Sequence, residues 1–306
     1  MSKSTISTFQ LFEMFPDQET ARKYLEERRW PNGLTCPVCG LGERITARKK
    51  QGFYRCNQCK EDFTVRTGTI FERSHIPLHK WIYAMYLLVT ARKGMSSLQL
   101  AKQIGVTQKS AWFMLHRLRE ACGDDLSKLQ GIVEIDETYV GGKEVNKHES
   151  KKLRAGRGAV GKTPVLGMRE RGGRTKAVKL KNTDMQTIQD TIVQRVEVGS
   201  TLHTDEHGAY QKMGGLFFTH ESINHSQGEF VRDGVTTNSI ESVFAVLKRG
   251  LIGVYHHASK KHIGRYVDEF AFRLNEGNVK RHTLERLDDL VSGTIGKRLT
   301  YKALIQ

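Results

Sequence analysis

Two C-x-x-C pairs constrain this chain more than any other feature. Cys36-Pro-Val-Cys39 and Cys56-Asn-Gln-Cys59 are separated by sixteen residues, a spacing that lets two knuckles bring four thiolates around one tetrahedral zinc ion. So small a segment has little core, and the metal would supply much of its folding free energy, roughly 10 kcal/mol or more in comparable sites. Phe53, Tyr54 and Arg55 lead into the second knuckle as a short strand, and residues 63–71 alternate enough to return as another. Disulfides are the competing use of the thiols. The opening MSKSTISTFQLFEMF has no apolar run behind a basic segment and does not read as an export signal, which favours metal. Cys122 reads as a small buried apolar residue.

The balance of charge points to a polyanionic partner. Against 33 Asp and Glu stand 49 Lys and Arg, a formal net charge of +16. On the ribbon, Arg48, Lys49, Lys50, Arg55, Lys60 and Arg66 suit phosphate contacts, with a solvated charged surface as the alternative. The most apolar stretch, residues 81–90, is about half a membrane span, so no membrane partner is expected.

Residues 71–125 carry the pattern of a helix-turn-helix. Pro77 can open a helix through Trp81, Ile82, Met85 and Leu88. Ser96 or Ser97 caps a second, which Gly105 ends, and Thr107 caps a third through Ala111, Met114, Leu115 and Leu118. Gln108, Lys109 and Ser110 are the residues expected to face a DNA groove, with Arg117 and Arg119 as phosphate clamps. Any three-helix module gives a similar pattern.

From residue 126 the order of elements becomes informative. Ile132-Val-Glu-Ile-Asp136 is a strand with Glu134 and Asp136 on one face and Glu137 on the other. Residues 140–162 are glycine-rich and basic, with Lys151, Lys152, Arg154 and Arg157 available to a phosphate backbone, or simply solvated. Two strands follow around Gly172-Gly173. Asp184 then caps a helix, residues 200–204 form a strand ending at Asp205, and a helix is expected after His207. Thr236 or Thr237 caps a later amphipathic helix on which Glu241 and Lys248, seven residues apart, look the same way and Asn238 lies one turn earlier. This order describes an α/β, ribonuclease-H-like domain with a mixed sheet. Asp136, Asp205 and Glu241 supply the hard oxygen ligands that magnesium or manganese requires, and two such ions can activate a nucleophile while stabilising the leaving oxygen. Each residue alone also has a plain reading, as a turn cap or a solvated side chain.

The stretches CPVCG, YRCNQCKEDFTVRTGTIF, VEIDETYVGG, LHTDEHGAY, NHSQGEFV and TTNSIESVFAVLKRG closely resemble bacterial insertion-sequence DDE transposases with an N-terminal zinc ribbon and an ISXO-like catalytic domain, a group related to Merlin elements. The resemblance covers nearly the whole chain. It implies a zinc-ribbon segment over 1–70, a helix-turn-helix over 71–125, a catalytic domain over 126–290 and a tail over 291–306. It also implies that Asp136, Asp205 and Glu241 form the metal triad with Lys248 as the following basic residue. Some members carry asparagine in the third role, which draws attention to Asn238. The activity implied is cleavage of double-stranded DNA at terminal inverted repeats and transfer of the 3′-OH to target DNA by a bacterial, cytoplasmic protein assembled as a homo-oligomer. A structure-specific nuclease of the same fold and a non-enzymatic DNA-binding regulator are the alternatives.

Overall fold

The computed structural model describes residues 5–123, 127–142, 144–154, 159–210, 213, 215, 218–275 and 281–306. They form two compact units, Met1–Asp124 together with Glu276–Gln306, and Asp125–Asn275.

The first unit opens with two helices that the sequence reading did not anticipate. Ser7 and Gln10 form a reciprocal capping box at the start of α1 (Thr8–Met14), and Asp17 caps α2 (Gln18–Arg29) by accepting the Thr20 N–H at 2.8 Å. The ribbon follows as three antiparallel strands, β1 (Ile45–Ala47), β2 (Tyr54–Cys56) and β3 (Asp62–Phe63). Trp30, at the end of α2, meets Tyr54 and Phe63 edge-on, with ring centres 6.0 and 5.9 Å away. The strand expected over 63–71 stops at Phe63, because Thr64 and Thr67 close a turn in which the Thr67 N–H donates to the Thr64 carbonyl at 3.0 Å. Helices α3 (Leu78–Thr90), α4 (Ser97–Ile104) and α5 (Gln108–Cys122) lie where expected. Ser96 and Thr107 cap the latter two, and Gly105 ends α4 at φ 63°, in the left-handed region that glycine enters without strain.

The second unit is built on five strands: β4 (Ile132–Val140), β5 (Thr163–Glu170), β6 (Thr175–Lys179), β7 (Thr201–Thr204) and β8 (Thr219–Ser222). They are ordered β6-β5-β4-β7-β8, antiparallel on the β5/β6 side of β4 and parallel on the β7/β8 side. The mixed sheet agrees with the ribonuclease-H-like arrangement expected above. Helix α6 (Met185–Arg195) buries Ile188 and Ile192 against Val133, Ile135, Leu166 and Met168. Residues one step out of phase face the other way. There Val165 packs with Leu247 of α7 (Asn238–Gly250) and with Tyr266, Val267 and Phe270 of α8 (Ile263–Asn275).

Two local expectations are corrected in this unit. Of the helix expected after His207, the described residues show a 3-10 turn, Gly208–Tyr210, and β8 was not expected at all. Its sequence Thr-His-Glu-Ser has no apolar alternation, so its extended form comes from pairing with β7.

Helices α9 (Thr283–Ser292) and α10 (Tyr301–Ile305) return the chain to the first unit. Leu287, Leu290, Val291 and Leu304 are buried, Asp288 pairs with Arg28 of α2 at 2.9 Å, and Ile295 bridges to Thr69. Residues 291–306, expected as a tail, thus carry core contacts of that unit. Among the described residues no helix is long and apolar enough to cross a membrane.

Candidate functional site

The four cysteine sulfurs all lie within 4.8 Å of one another, with Cys36 and Cys59 at 3.6 Å and Cys39 and Cys56 at 3.7 Å. A tetrahedron of Zn–S bonds of about 2.3 Å has edges of about 3.8 Å, whereas a disulfide requires about 2.05 Å. The donor set therefore fits one structural zinc. Gly40 and Lys60, at φ 77° and 59°, turn the backbone at the two knuckles, and the amides of Cys59 and Gln58 bring the Cys56 thiol down to about 7. Much of the ribbon's basic charge is already committed. Arg48 and Arg55 both pair with Asp62, at 2.9 and 3.3 Å, and Arg66 donates to the carbonyls of Ser74 and Ile76.

In the second unit β4 carries Asp136, the residue after β7 is Asp205, and α7 carries Glu241. Asp136 is pushed up to about 7, first by burial, then by the charges of Asp205 and Glu137 and, more weakly, Glu241. Asp205 accepts the His207 N–H at 3.0 Å. Glu241 is exposed, accepts the Thr237 hydroxyl at 3.2 Å and stands 3.5 Å from His225 Nε2, which also meets the Thr237 hydroxyl at 3.1 Å. The carboxylates influence one another without converging as the thiols do: among the described residues only the cysteines are gathered closely enough to hold an ion as they stand. Lys248 and Asn238 are exposed on α7, seven residues after and three before Glu241.

Asp136, midway along β4, and Asp205, just after β7, are each followed by a glutamate, and both glutamates hold structure. Glu137 accepts the hydroxyl of buried Tyr210 and faces His207 Nδ1 at 3.3 Å; burial raises both the Glu137 carboxyl and the Tyr210 hydroxyl above their ordinary values. Glu206 accepts the N–H groups of His225 at 2.7 Å and Ser226 at 3.1 Å, which brings the His225 loop back toward Asp205. The repeated Asp-Glu pair was visible in the sequence, but only folding reveals the division of labour within it.

The expected DNA-facing residues divide sharply. Gln108 and Lys109 are exposed and Ser110 half-buried in the first turn of α5; Gln108 donates to Ser97 at 2.9 Å, and Lys109 lies 4.8 Å from the centre of the Tyr301 ring. Arg117 and Arg119, expected as phosphate clamps, are instead buried, at 7% and 1% exposure. Arg117 stacks on Phe113 and donates to the Leu299 carbonyl at 3.1 Å, so the returning C-terminal segment takes the place assigned to phosphate. In the 140–162 loop Lys151 is exposed, while Lys152 and Arg154 both pair with Glu149. Arg157 lies outside the described residues.

Comparison with known proteins places these features in one lineage. Residues 128–275 match the ISXO2-like transposase domain, and residues 16–62 match the transposase zinc-ribbon domain. The chain is 31% identical over 271 residues to an uncharacterized protein in transposable element ISH50 of Halobacterium salinarum, covering 85% of this chain and 91% of the relative. That relative is archaeal, so the bacterial setting expected from sequence does not bound the lineage. Among solved structures, a chain of the simian T-cell lymphotropic virus intasome in complex with PP2A regulatory subunit B56 gamma aligns at 13% identity over 63% of this chain and 65% of that one, with a TM-score of 0.29. The Mos1 strand transfer complex aligns at 12% identity over 72% and 79%, with a TM-score of 0.27. Superposition this partial carries no argument, and the assignment rests on the domain matches and the archaeal relative. The chain belongs to the DDE insertion-sequence transposase family that combines a transposase zinc ribbon with an ISXO2-like transposase domain.

Proposed function

We propose that the chain cuts DNA at the terminal inverted repeats of an insertion sequence and joins the exposed 3′-OH ends to target DNA. The observation that carries this reading is that a segment matching the ISXO2-like transposase domain brings Asp136 of β4, Asp205 after β7 and Glu241 of α7 near enough for their charges to act on one another. Carboxylates kept together against their own repulsion suit oxygen-seeking divalent cations. Asp136, Asp205 and Glu241 would hold magnesium or manganese, two ions, which when bound supply activation of the attacking oxygen and charge compensation at the leaving oxygen.

The chain's own groups do the positioning. The His207 amide orients Asp205, and the Thr237 hydroxyl with His225 orients Glu241. Lys248, on the same side of α7 as Glu241, contacts a phosphate next to the reacting one. Helices α4 and α5 act as a helix-turn-helix in which Gln108, Lys109 and Ser110 meet a groove, while Lys151, Lys152 and Arg154 follow the phosphate backbone. Two element ends are held together by a dimer or larger assembly of the chain.

The test uses the full chain, a labelled duplex carrying a repeat end and a target duplex, with magnesium or manganese, comparing wild type with Asp205→Ala. Cleavage and joining by the wild type, both lost in a variant that still binds, support the proposal. Cleavage without joining identifies a structure-specific nuclease, binding without cleavage identifies a regulator, and equal cleavage by the variant removes the carboxylates from the chemistry.

A further inference from the structure

Glu134 shares a strand face with Asp136, yet it does not point into the acidic site. Its side chain is 2% exposed and its Oε2 accepts the Ser239 N–H at 2.9 Å, the Ile240 N–H at 3.4 Å and the Ser239 hydroxyl. Its Oε1 faces Arg171 Nη2 at 3.4 Å. Both oxygens are therefore engaged, one by the start of α7 and the other by Arg171.

The arrangement answers a need of helix α7. The first N–H groups of a helix have no partner within it and usually take one from the N-cap side chain. At α7 that residue, Thr237, makes no such bond, and its hydroxyl is turned to Glu241 instead. Of the first amides, that of Asn238 donates to the Thr236 hydroxyl at 3.1 Å, while those of Ser239 and Ile240 are taken by the Glu134 carboxylate from far earlier in the chain, where a negative charge also complements the positive end of the helix. Arg171 extends the brace, since its Nη2 lies 3.2 Å from His203 Nδ1, and the same ring nitrogen accepts the Thr236 N–H at 3.4 Å just ahead of the helix.

We propose that Glu134 is a positioning residue that locks the first turn of α7 to β4, and so sets where Glu241 stands relative to Asp136. The inference rests on the reading that Asp136 and Glu241 serve one site. A brace and a metal ligand respond differently to conservative change. Gln keeps the reach and an acceptor oxygen for the Ser239 amide, whereas Asp keeps the charge but is one methylene too short.

The test compares Glu134→Gln, Glu134→Asp and Glu134→Ala in the full chain by two readouts. The first is amide exchange of the metal-free protein: the brace requires that Ser239, Ile240 and Glu241 exchange at least about tenfold faster in the Ala and Asp variants, nearer wild type in Gln, with α6 and α8 unchanged. The second is the manganese concentration giving half-maximal strand cleavage, expected to rise about 10- to 100-fold for Ala and Asp and less for Gln. Unchanged exchange in Glu134→Ala overturns the brace whether or not the chain cleaves DNA. Faster exchange with an unchanged manganese requirement overturns the positioning of Glu241, and Asp surpassing Gln in the cleavage readout makes Glu134 a ligand. A wild type that cleaves nothing with any divalent metal defeats the functional reading, while the exchange readout still judges the brace.

Discussion

Gly167 and Phe244 stand so close that a Cβ on the strand residue would lie 2.6 Å from the ring's Cζ, and 2.7 Å from Ile240 Cδ1. Gly167 pairs with Asp136 across β4 and β5, so the missing side chain is what lets α7 settle on the sheet beside that carboxylate. Because Ile240 and Phe244 are themselves buried, the ring and the methyl group have little room to yield. Gly167→Ala is expected to destabilise the protein by about 1–3 kcal/mol and to reduce strand cleavage more than DNA binding. Urea unfolding and a cleavage assay check this; a variant matching wild type in both would mean that α7 is free to shift.

Removal of the ribbon metal should unfold residues 36–63 selectively. Chelation, or Cys56→Ser, is expected to release one zinc per chain and abolish most of the local folding free energy, about 10 kcal/mol or more in such sites. Metal analysis with amide exchange reads the result. Persistent protection across β1, β2 and β3 in metal-free protein would contradict it.

Asp136 gives the metal-free protein a pH dependence of defined sign. Between its ordinary 3.8 and about 7 the folded chain keeps a proton that the unfolded chain has released. Stability therefore declines as pH rises through that window, by at most about 4 kcal/mol, and levels off above it. Asp136→Asn should remove most of the slope, and manganese should restore stability at about pH 8 far more than at about pH 4. Denaturation midpoints across the range provide the measurement, and a flat wild-type profile would refute the shift.

Lys109→Ala should weaken binding to a repeat-end duplex more than to an unrelated one, as expected of a residue that meets a groove. Arg119→Ala, at a buried position, should instead lower the melting temperature. Binding isotherms on both duplexes, with thermal melting, distinguish the exposed lysine of α5 from its buried arginine; equal weakening on both duplexes in Lys109→Ala would remove that residue from the groove.

What could be read from the sequence was whatever local chemistry decides. The thiol spacing, Thr107 and Gly105 around α5, Asp184 before α6 and the turn at Gly172-Gly173 each act over a few residues, and each was legible. Long-range partners were not. The buried state of Arg117 depends on a carbonyl 182 residues away, β8 is extended only because β7 lies beside it, and Glu134 serves a helix 105 residues on. The acidic site shows both behaviours. The strands and helix that carry Asp136, Asp205 and Glu241 could be expected, whereas the parts of Glu137, Tyr210, Glu206 and His225 depend on how the intervening loops close.

The pairing of α2 with α9 has a consequence for synthesis on the ribosome. Leu287, Leu290 and Val291 complete a core begun by residues translated long before them, and the entire five-stranded unit is made in between. A nascent chain that has emerged only as far as α8 carries a first unit whose apolar surface is still partly uncovered. The first unit therefore closes only after the five-stranded unit has been synthesised, and a chain cut short before α9 leaves part of that core without cover.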